Sequence, residues 1–148
     1  MRVERSIVLP TPPERAWSVV TDWERQAEWM RDADEVRVVD RRDGVGTGLV
    51  VRTRLFNVPA LTERMEVVVW EPPHRLVLAH RRVVRGLGVW RLLPDPTGTR
   101  FVWIEDVTLP VPVLGELAAL VYRPFLRRVM AGSMEALRRH VIAIGPVG

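Results

Sequence analysis

The sequence contains no cysteine, which excludes a disulfide framework, a thiolate nucleophile and any cysteine-held zinc or iron–sulfur centre. Lysine is absent too, and all 22 basic residues are arginine. The pI of about 11.0 therefore reports a side chain that does not titrate in proteins, because the formal net charge is only +4. No apolar run approaches the roughly 18 residues of a membrane span. Ile7-Val8-Leu9, the first apolar stretch, stops at Pro10 and is too short for the core of a secretory signal. Serine is confined to Ser6, Ser18 and Ser133, none of them in a G-x-S-x-G elbow. His74, His80 and His140 are too scattered for a metal-ligand motif. Gly44-Val45-Gly46-Thr47-Gly48 leads into no helix and reads as a hairpin turn, not a phosphate loop. The densest basic cluster, Arg123, Arg127, Arg128, Arg138 and Arg139, is spread along one helix instead of forming a stripe interleaved with exposed aromatics. These absences give the expectation of a cytoplasmic protein, monomeric or homodimeric, with no metal, no cofactor, no nucleic-acid partner and no integral membrane association.

What is present is a chain of 148 residues, 47% hydrophobic and 27% charged. That balance predicts one domain over residues 1–148, able to bury roughly 68–70% of its unfolded surface without staples. Arg2 to Leu9 reads as a strand. Thr11-Pro12-Pro13-Glu14 has the form of a capping box with Thr11 as N-cap, so a helix is expected from about Pro12 to Asp22 that buries Ala16, Trp17 and Val20. A second short helix follows from Trp23 to Met30. The period then changes to two, and strands are expected over Asp34–Arg42, Gly48–Phe56, Leu61–Glu71, Arg75–Val84, Val89–Leu93 and Arg100–Leu109, with Gly86 and Gly88 as breakers. From Val113 to Ile144 the period is helical again, with Leu117, Val121, Phe125, Val129 and Leu137 as the apolar stripe and Pro124 as an expected kink.

Strands and helices do not alternate, which predicts an antiparallel α+β domain. Seven strands at about 4.8 Å make a sheet about 30 Å wide, and one helix is only about 10–12 Å across. The sheet is therefore expected to curl around the long helix and leave a cavity between them. Alternation turns Trp90 inward, and Phe101, Trp103 and Glu105 share one face of the last strand. Six tryptophans against one tyrosine and three phenylalanines suit either a bulky core or the walls of a site for a flat, partly polar ligand. Glu105 is the chemical oddity: an inward carboxylate is either a general acid or base, an acceptor for a ligand hydroxyl, or half of an ion pair. Arg81 lies with Val77, Ala79 and Val83, and His80 with Leu76, Leu78 and Val84; alternation alone does not decide which set faces in.

The opening strand followed by Pro12-Pro13-Glu14-Arg15-Ala16-Trp17, the segment Asp22 to Met30, and Trp70-Glu71-Pro72-Pro73 before Leu76 resemble the START-like, or helix-grip, superfamily over Val3 to about Val141. That superfamily includes plant pollen allergens, lipid-transfer domains and bacterial polyketide aromatase/cyclases. The resemblance implies a curved seven-stranded antiparallel sheet around a long C-terminal helix, with two short helices after the first strand. A narrower similarity is to the aromatic polyketide aromatase/cyclases: Ala79-His80-Arg81 looks like their segment bearing a proposed active-site arginine, and Trp90 and Trp103 like two tryptophans of their cavity. The second arginine of that group falls at Val68, and an aromatic of its second helix near Gln26. The resemblance favours Arg81 inside, where a guanidinium would stabilise an enolate or carboxylate.

Arg81 and Glu105 are therefore the candidate catalytic residues. Trp90, Trp103, Phe101, Met30, Leu117, Val121 and Phe125 are the candidate ligand-binding ones. The expected function is binding of a hydrophobic or aromatic small molecule, such as a lipid, quinone or polyketide. The alternatives are a polyketide cyclase/dehydrase-type enzyme promoting aldol cyclisation and dehydration, and a protein-interaction module using the arginine-rich helix or a sheet edge.

Overall fold

The computed structural model describes residues 1–55, 58–109 and 115–145. The strands are β1 (Arg2–Leu9), β2 (Ala33–Asp40), β3 (Gly48–Leu55), β4 (Val58–Glu71), β5 (Arg75–Arg81), β6 (Arg85–Asp95) and β7 (Gly98–Thr108). A helix α1 (Pro13–Val20) and a 3-10 turn (Trp23–Glu28) stand between β1 and β2, and α2 (Gly115–Ile144) follows β7. All seven strands pair antiparallel in one sheet of order β1-β7-β6-β5-β4-β3-β2. Five hairpins build it from β2 to β7, whereas β1 and β2, neighbours in sequence, occupy opposite edges. Residues 10–32 must therefore cross the whole width of the sheet. Trp17, Trp23 and Trp29 of this crossing segment are buried in the core, so the segment lies on the same face as α2.

Several expectations need correction. Thr11 is not the N-cap of α1: Pro12 is, with no side-chain cap. Thr11 is buried instead, and its carbonyl accepts the Thr99 hydroxyl at 2.7 Å. Pro12 and Pro13 bring no N–H to the first turn, so little is left for a cap to satisfy. β4 begins before Leu61 and β5 ends at Arg81, short of Val84. Gly86 and Gly88 lie inside β6 and do not break it. The expected ends at Phe56 and Val113 fall outside the described residues.

The larger correction concerns α2. Its buried ridge runs through Leu126, Met130, Met134, Leu137 and Val141, while Leu117 and Val121 are 59% and 60% exposed. Two adjacent i, i+4 rows of this helix are apolar, one step apart in sequence and about 100° apart around the axis. Periodicity finds both rows but does not say which one the sheet covers. Ser133 sits in the buried ridge and accepts the Arg31 backbone N–H at 2.9 Å, tying the crossing segment to the helix. Register shifts at Ala33/Glu35, Val38/Asp40, Thr53/Arg54 and Val67/Val69 bend the β2–β5 half of the sheet.

The six tryptophans form one connected set. Trp17 meets Trp70 edge-on at 4.9 Å, Trp70 lies 6.4 Å from Trp23, and Trp23 lies 6.3 Å from Trp90. Trp90 in turn contacts Trp29 and Trp103, each at 6.0 Å, and Phe101 at 5.7 Å. Tilted and edge-to-face pairs of this kind contribute about 0.5–1.5 kcal/mol each beyond the area they bury. The indoles therefore fill one end of the space between sheet and helix. The other end stays open.

Candidate functional site

The open end is a cavity of about 90 Å³, measured as the space available to the centre of a water molecule. Gln26, Met30 and Asp32 of the crossing segment close one side, and Tyr122 and Leu126 of α2 another. The remaining wall comes from the sheet, with Trp90, Trp103 and Glu105 beside Glu63, Leu78 and His80. Most of the full lining is apolar, but three carboxylates (Asp32, Glu63 and Glu105), the His80 imidazole and the Tyr122 phenol converge within it, with Arg54 also on the wall.

Strand register explains how two of them meet. Leu76, Trp90 and Trp103 form one cross-strand row over β5, β6 and β7. The next inward rows are Leu78, Gly88 and Glu105, then His80, Gly86 and Val107. The two β6 positions between His80 and Glu105 thus carry no side chain. β5 and β7 are separated by roughly 9–10 Å, two strand spacings, and across this glycine-floored gap the imidazole and the carboxylate meet. His80 Nε2 stands 3.0 Å from Glu105 Oε2, and Trp103 Nε1–H donates to Glu105 Oε1 at 2.7 Å. A Cβ on Gly88 would lie 3.0 Å from Glu105 Oε1. On Gly86, whose φ is +136°, it would lie 2.1 Å from the Asp106 carbonyl oxygen. The Gly-x-Gly spacing inside β6 is the signal that makes room for this pair.

Burial pushes the His80 imidazole down, but the hydrogen bond and charge of Glu105, with the charges of Glu63 and Asp32, more than offset it and leave its pKa raised. His80 Nδ1 is buried and has no partner among the described residues. In the neutral ring with Nε2–H donated to Glu105, Nδ1 is a free acceptor, the arrangement in which a carboxylate orients a histidine base. Asp32 was not anticipated from the sequence. Burial raises its carboxyl to about 6, its own backbone N–H opposes the rise, and Glu105 adds to it. Asp32 Oδ1 likewise has no partner among the described residues. Glu63, 3% exposed, is raised chiefly by burial and accepts the Val84 N–H at 3.4 Å. The Tyr122 hydroxyl is pushed up to about 12 by burial and by the nearby carboxylates of Asp32, Glu105 and Glu63.

The expected site residues divide. Trp90, Trp103, Glu105 and Met30 lie on the cavity wall. Phe101 is fully buried behind the wall, against Trp90 and Trp103. Phe125 packs on Tyr122 at 5.9 Å, and Leu117 and Val121 face outward. Arg81 is corrected: its side chain is 51% exposed and pairs with Glu66 at 3.3 Å on the outer face. Leu76, Leu78 and His80 are the inward set of β5. Sequence alternation was silent here because both faces of β5 are apolar and buried from Leu76 to Ala79. Among the described residues, no group of three His, Asp or Glu side chains is placed to hold a metal ion, and no helix is long and apolar enough to cross a membrane.

A curved sheet gripping a C-terminal helix around a partly polar cavity is the helix-grip fold. The chain belongs to the polyketide cyclase/dehydrase and lipid transport family, whose model matches residues 1–141. Among solved structures, protein TTHA0849 from Thermus thermophilus superposes with a TM-score of 0.84 at 22% identity, over 99% of this chain and 100% of that one. The Zhui aromatase/cyclase from a Streptomyces species gives 0.75 at 19% identity, with 99% of each chain covered. A START superfamily protein from Mycobacterium smegmatis gives 0.72 at 15% identity, over 97% of this chain and 98% of that one. No curated protein sequence matches the chain.

Proposed function

We propose that the protein binds a hydrophobic or aromatic small molecule in the cavity between sheet and α2, with the ring against Trp90 and Trp103 and a polar group toward His80, Asp32 and Glu63. The supporting observation is the composition of the wall: apolar surfaces surround buried polar atoms, His80 Nδ1 and Asp32 Oδ1, that have no partner among the described residues. Such atoms cost free energy unless a guest or water satisfies them. The family description, which covers both cyclase/dehydrase activity and lipid transport, is consistent with this reading.

A second reading is favoured by one specific feature, the Trp103–Glu105–His80 chain of hydrogen bonds. A histidine base oriented by a carboxylate, facing a carboxyl held near 6, is equipped to take a proton from a carbon next to a carbonyl and return one to a departing hydroxyl. That is the proton traffic of an aldol cyclisation followed by dehydration. Holding a flexible chain folded in the cavity would supply much of the rate.

Leu126→Trp provides the test. Leu126 is buried and lines the cavity, so an indole there fills the space from the helix side. Native mass spectrometry of the parent protein from its own host is expected to reveal a bound small molecule that this variant lacks while still folding. Retention of the same molecule by a folded Leu126→Trp variant would refute the cavity as its site. In a reconstituted cyclisation assay, His80→Gln and Glu105→Gln are expected to reduce turnover together, and unchanged product formation in both would refute the enzymatic reading.

A further inference from the structure

The charge inventory of the cavity wall is one-sided. Asp32, Glu63 and Glu105 are carboxylates, and His80 and Arg54 are the basic members of the wall. Arg54 is already engaged by Asp34 in an ion pair. Arg82, the other arginine near Glu63, is directed to the Thr62 carbonyl. The undescribed stretches 56–57, 110–114 and 146–148 contain no arginine, lysine or histidine in the sequence. Within the cavity, then, three carboxylates, Glu63 buried and Asp32 and Glu105 half-buried, face one imidazole.

The carboxylates are not equally satisfied. Both oxygens of Glu105 are bonded, to His80 and to Trp103, and Glu63 is held by the Val84 N–H. Asp32 carries a buried oxygen without a partner among the described residues, and its surroundings favour the proton-bearing form. At neutral pH, above the value of about 6 to which this carboxyl is raised, its ionised oxygen is relieved by a guest that donates a hydrogen bond or brings a positive charge. A carboxylate or phosphate would instead meet three like charges in a poorly hydrated space, and juxtaposing like charges out of water costs several kcal/mol. No set of these groups is placed to hold a metal ion among the described residues, so the cation that fits is organic.

Resting on the reading that the cavity takes a small molecule, we infer that it selects aromatic or aliphatic ligands bearing an amine or another hydrogen-bond donor, and rejects free fatty acids and other anions. The donor group lies against Asp32 and Glu63, and the apolar body against Trp90, Trp103 and Leu126. The tryptophan wall contributes in the same direction, since aromatic faces attract an ammonium group that has lost its water.

The experiment compares three probes of nearly equal shape, phenethylamine, phenethyl alcohol and phenylacetate, titrated into the full chain at neutral pH and followed by calorimetry and indole emission. The amine is expected to bind about tenfold more tightly than phenylacetate, with the alcohol between them, tenfold being about 1.4 kcal/mol. Asp32→Asn, which keeps the shape and removes the charge, is expected to bring the amine-to-acid ratio severalfold closer to one. Glu63→Gln is expected to do the same, and serves if the first variant fails to fold. Phenylacetate binding as well as or better than the amine would overturn the inference and leave ligand binding intact. Failure of all three to bind the folded protein would overturn both the inference and the binding reading beneath it.

Discussion

Asp32 and His80 make the fold sensitive to pH in the same sense, since the pKa of each is raised in the folded chain. A carboxyl raised from 3.8 to about 6 in the folded chain holds its proton to higher pH than the unfolded chain does. Its contribution to stability therefore falls as pH climbs through that window. A shift of this size corresponds to about 3 kcal/mol. Asp32→Asn is thus expected to stabilise the protein by roughly 1–3 kcal/mol at pH 8 and hardly at all at pH 4, read by urea denaturation at the two pH values. His80 acts in the same direction, in a higher pH window. With its folded pKa raised above 6.5, the stability it adds is fully present below the unfolded value and is lost as pH rises through the folded one. A proton NMR titration of the His80 ring should show a midpoint above 6.5 in the parent protein. In Glu105→Gln the midpoint should move below that of the parent, because removing the largest raising influence leaves burial to dominate. An unchanged midpoint would mean that the His80–Glu105 contact does not hold in solution.

At the scale of elements, β6 is built around what it omits. Gly86→Ala would press a methyl group into the Asp106 carbonyl at a backbone angle that L-residues avoid, with an expected loss of about 2–4 kcal/mol in denaturant unfolding. Gly88→Ala meets only the carboxylate of Glu105, so it should cost little stability while displacing that carboxylate and lowering the His80 midpoint. The pair separates a backbone requirement from a site requirement within a single strand. On α2, Ser133→Ala leaves the Arg31 N–H without its acceptor and should destabilise by about 1 kcal/mol. Its signature is local, faster hydrogen exchange confined to the segment around Arg31. The same elements show where sequence patterns stop being informative. Strands β1 and β3 were readable because turn residues bound them and one face alternates. The interior of β6 was not, since glycine in a strand reads as an interruption until its neighbours' side chains are known. Nor was the orientation of β5, where Leu76 to Ala79 are buried on both faces and leave His80 and Arg81 equally eligible. Asp32 gave no signal at all. It follows the 3-10 turn beside arginine and aspartate neighbours that read as surface, and only the fold reveals that the sheet closes over it.

At the scale of the whole molecule, a sheet of seven strands is too broad for one helix to cover, and the surplus became space. Composition alone could not divide that space between filling and vacancy. The six tryptophans were compatible with a lined pocket, yet Trp17, Trp23 and Trp70 pack among themselves, Trp29 packs on Trp90, and only Trp90 and Trp103 reach the void. The interior is consequently two-sided, aromatic around Trp17, Trp23 and Trp70, polar and hollow toward Asp32 and His80. Plugging the hollow side should leave the melting behaviour of the packed side nearly unchanged, which differential scanning calorimetry of Leu126→Trp would check.

The unbroken contact path from Trp17 to Trp103 has an optical consequence. Indoles at separations of 4.9 to 6.4 Å exchange excitation faster than they emit. Light absorbed anywhere in the set can therefore drain toward the ring of lowest excited-state energy. Trp103, whose N–H points at a carboxylate, is suited to be that ring, and it stands on the wall of the void. A single occupant touching it would then dim the luminescence of all six, giving the protein a built-in gauge of its own occupancy without any attached dye.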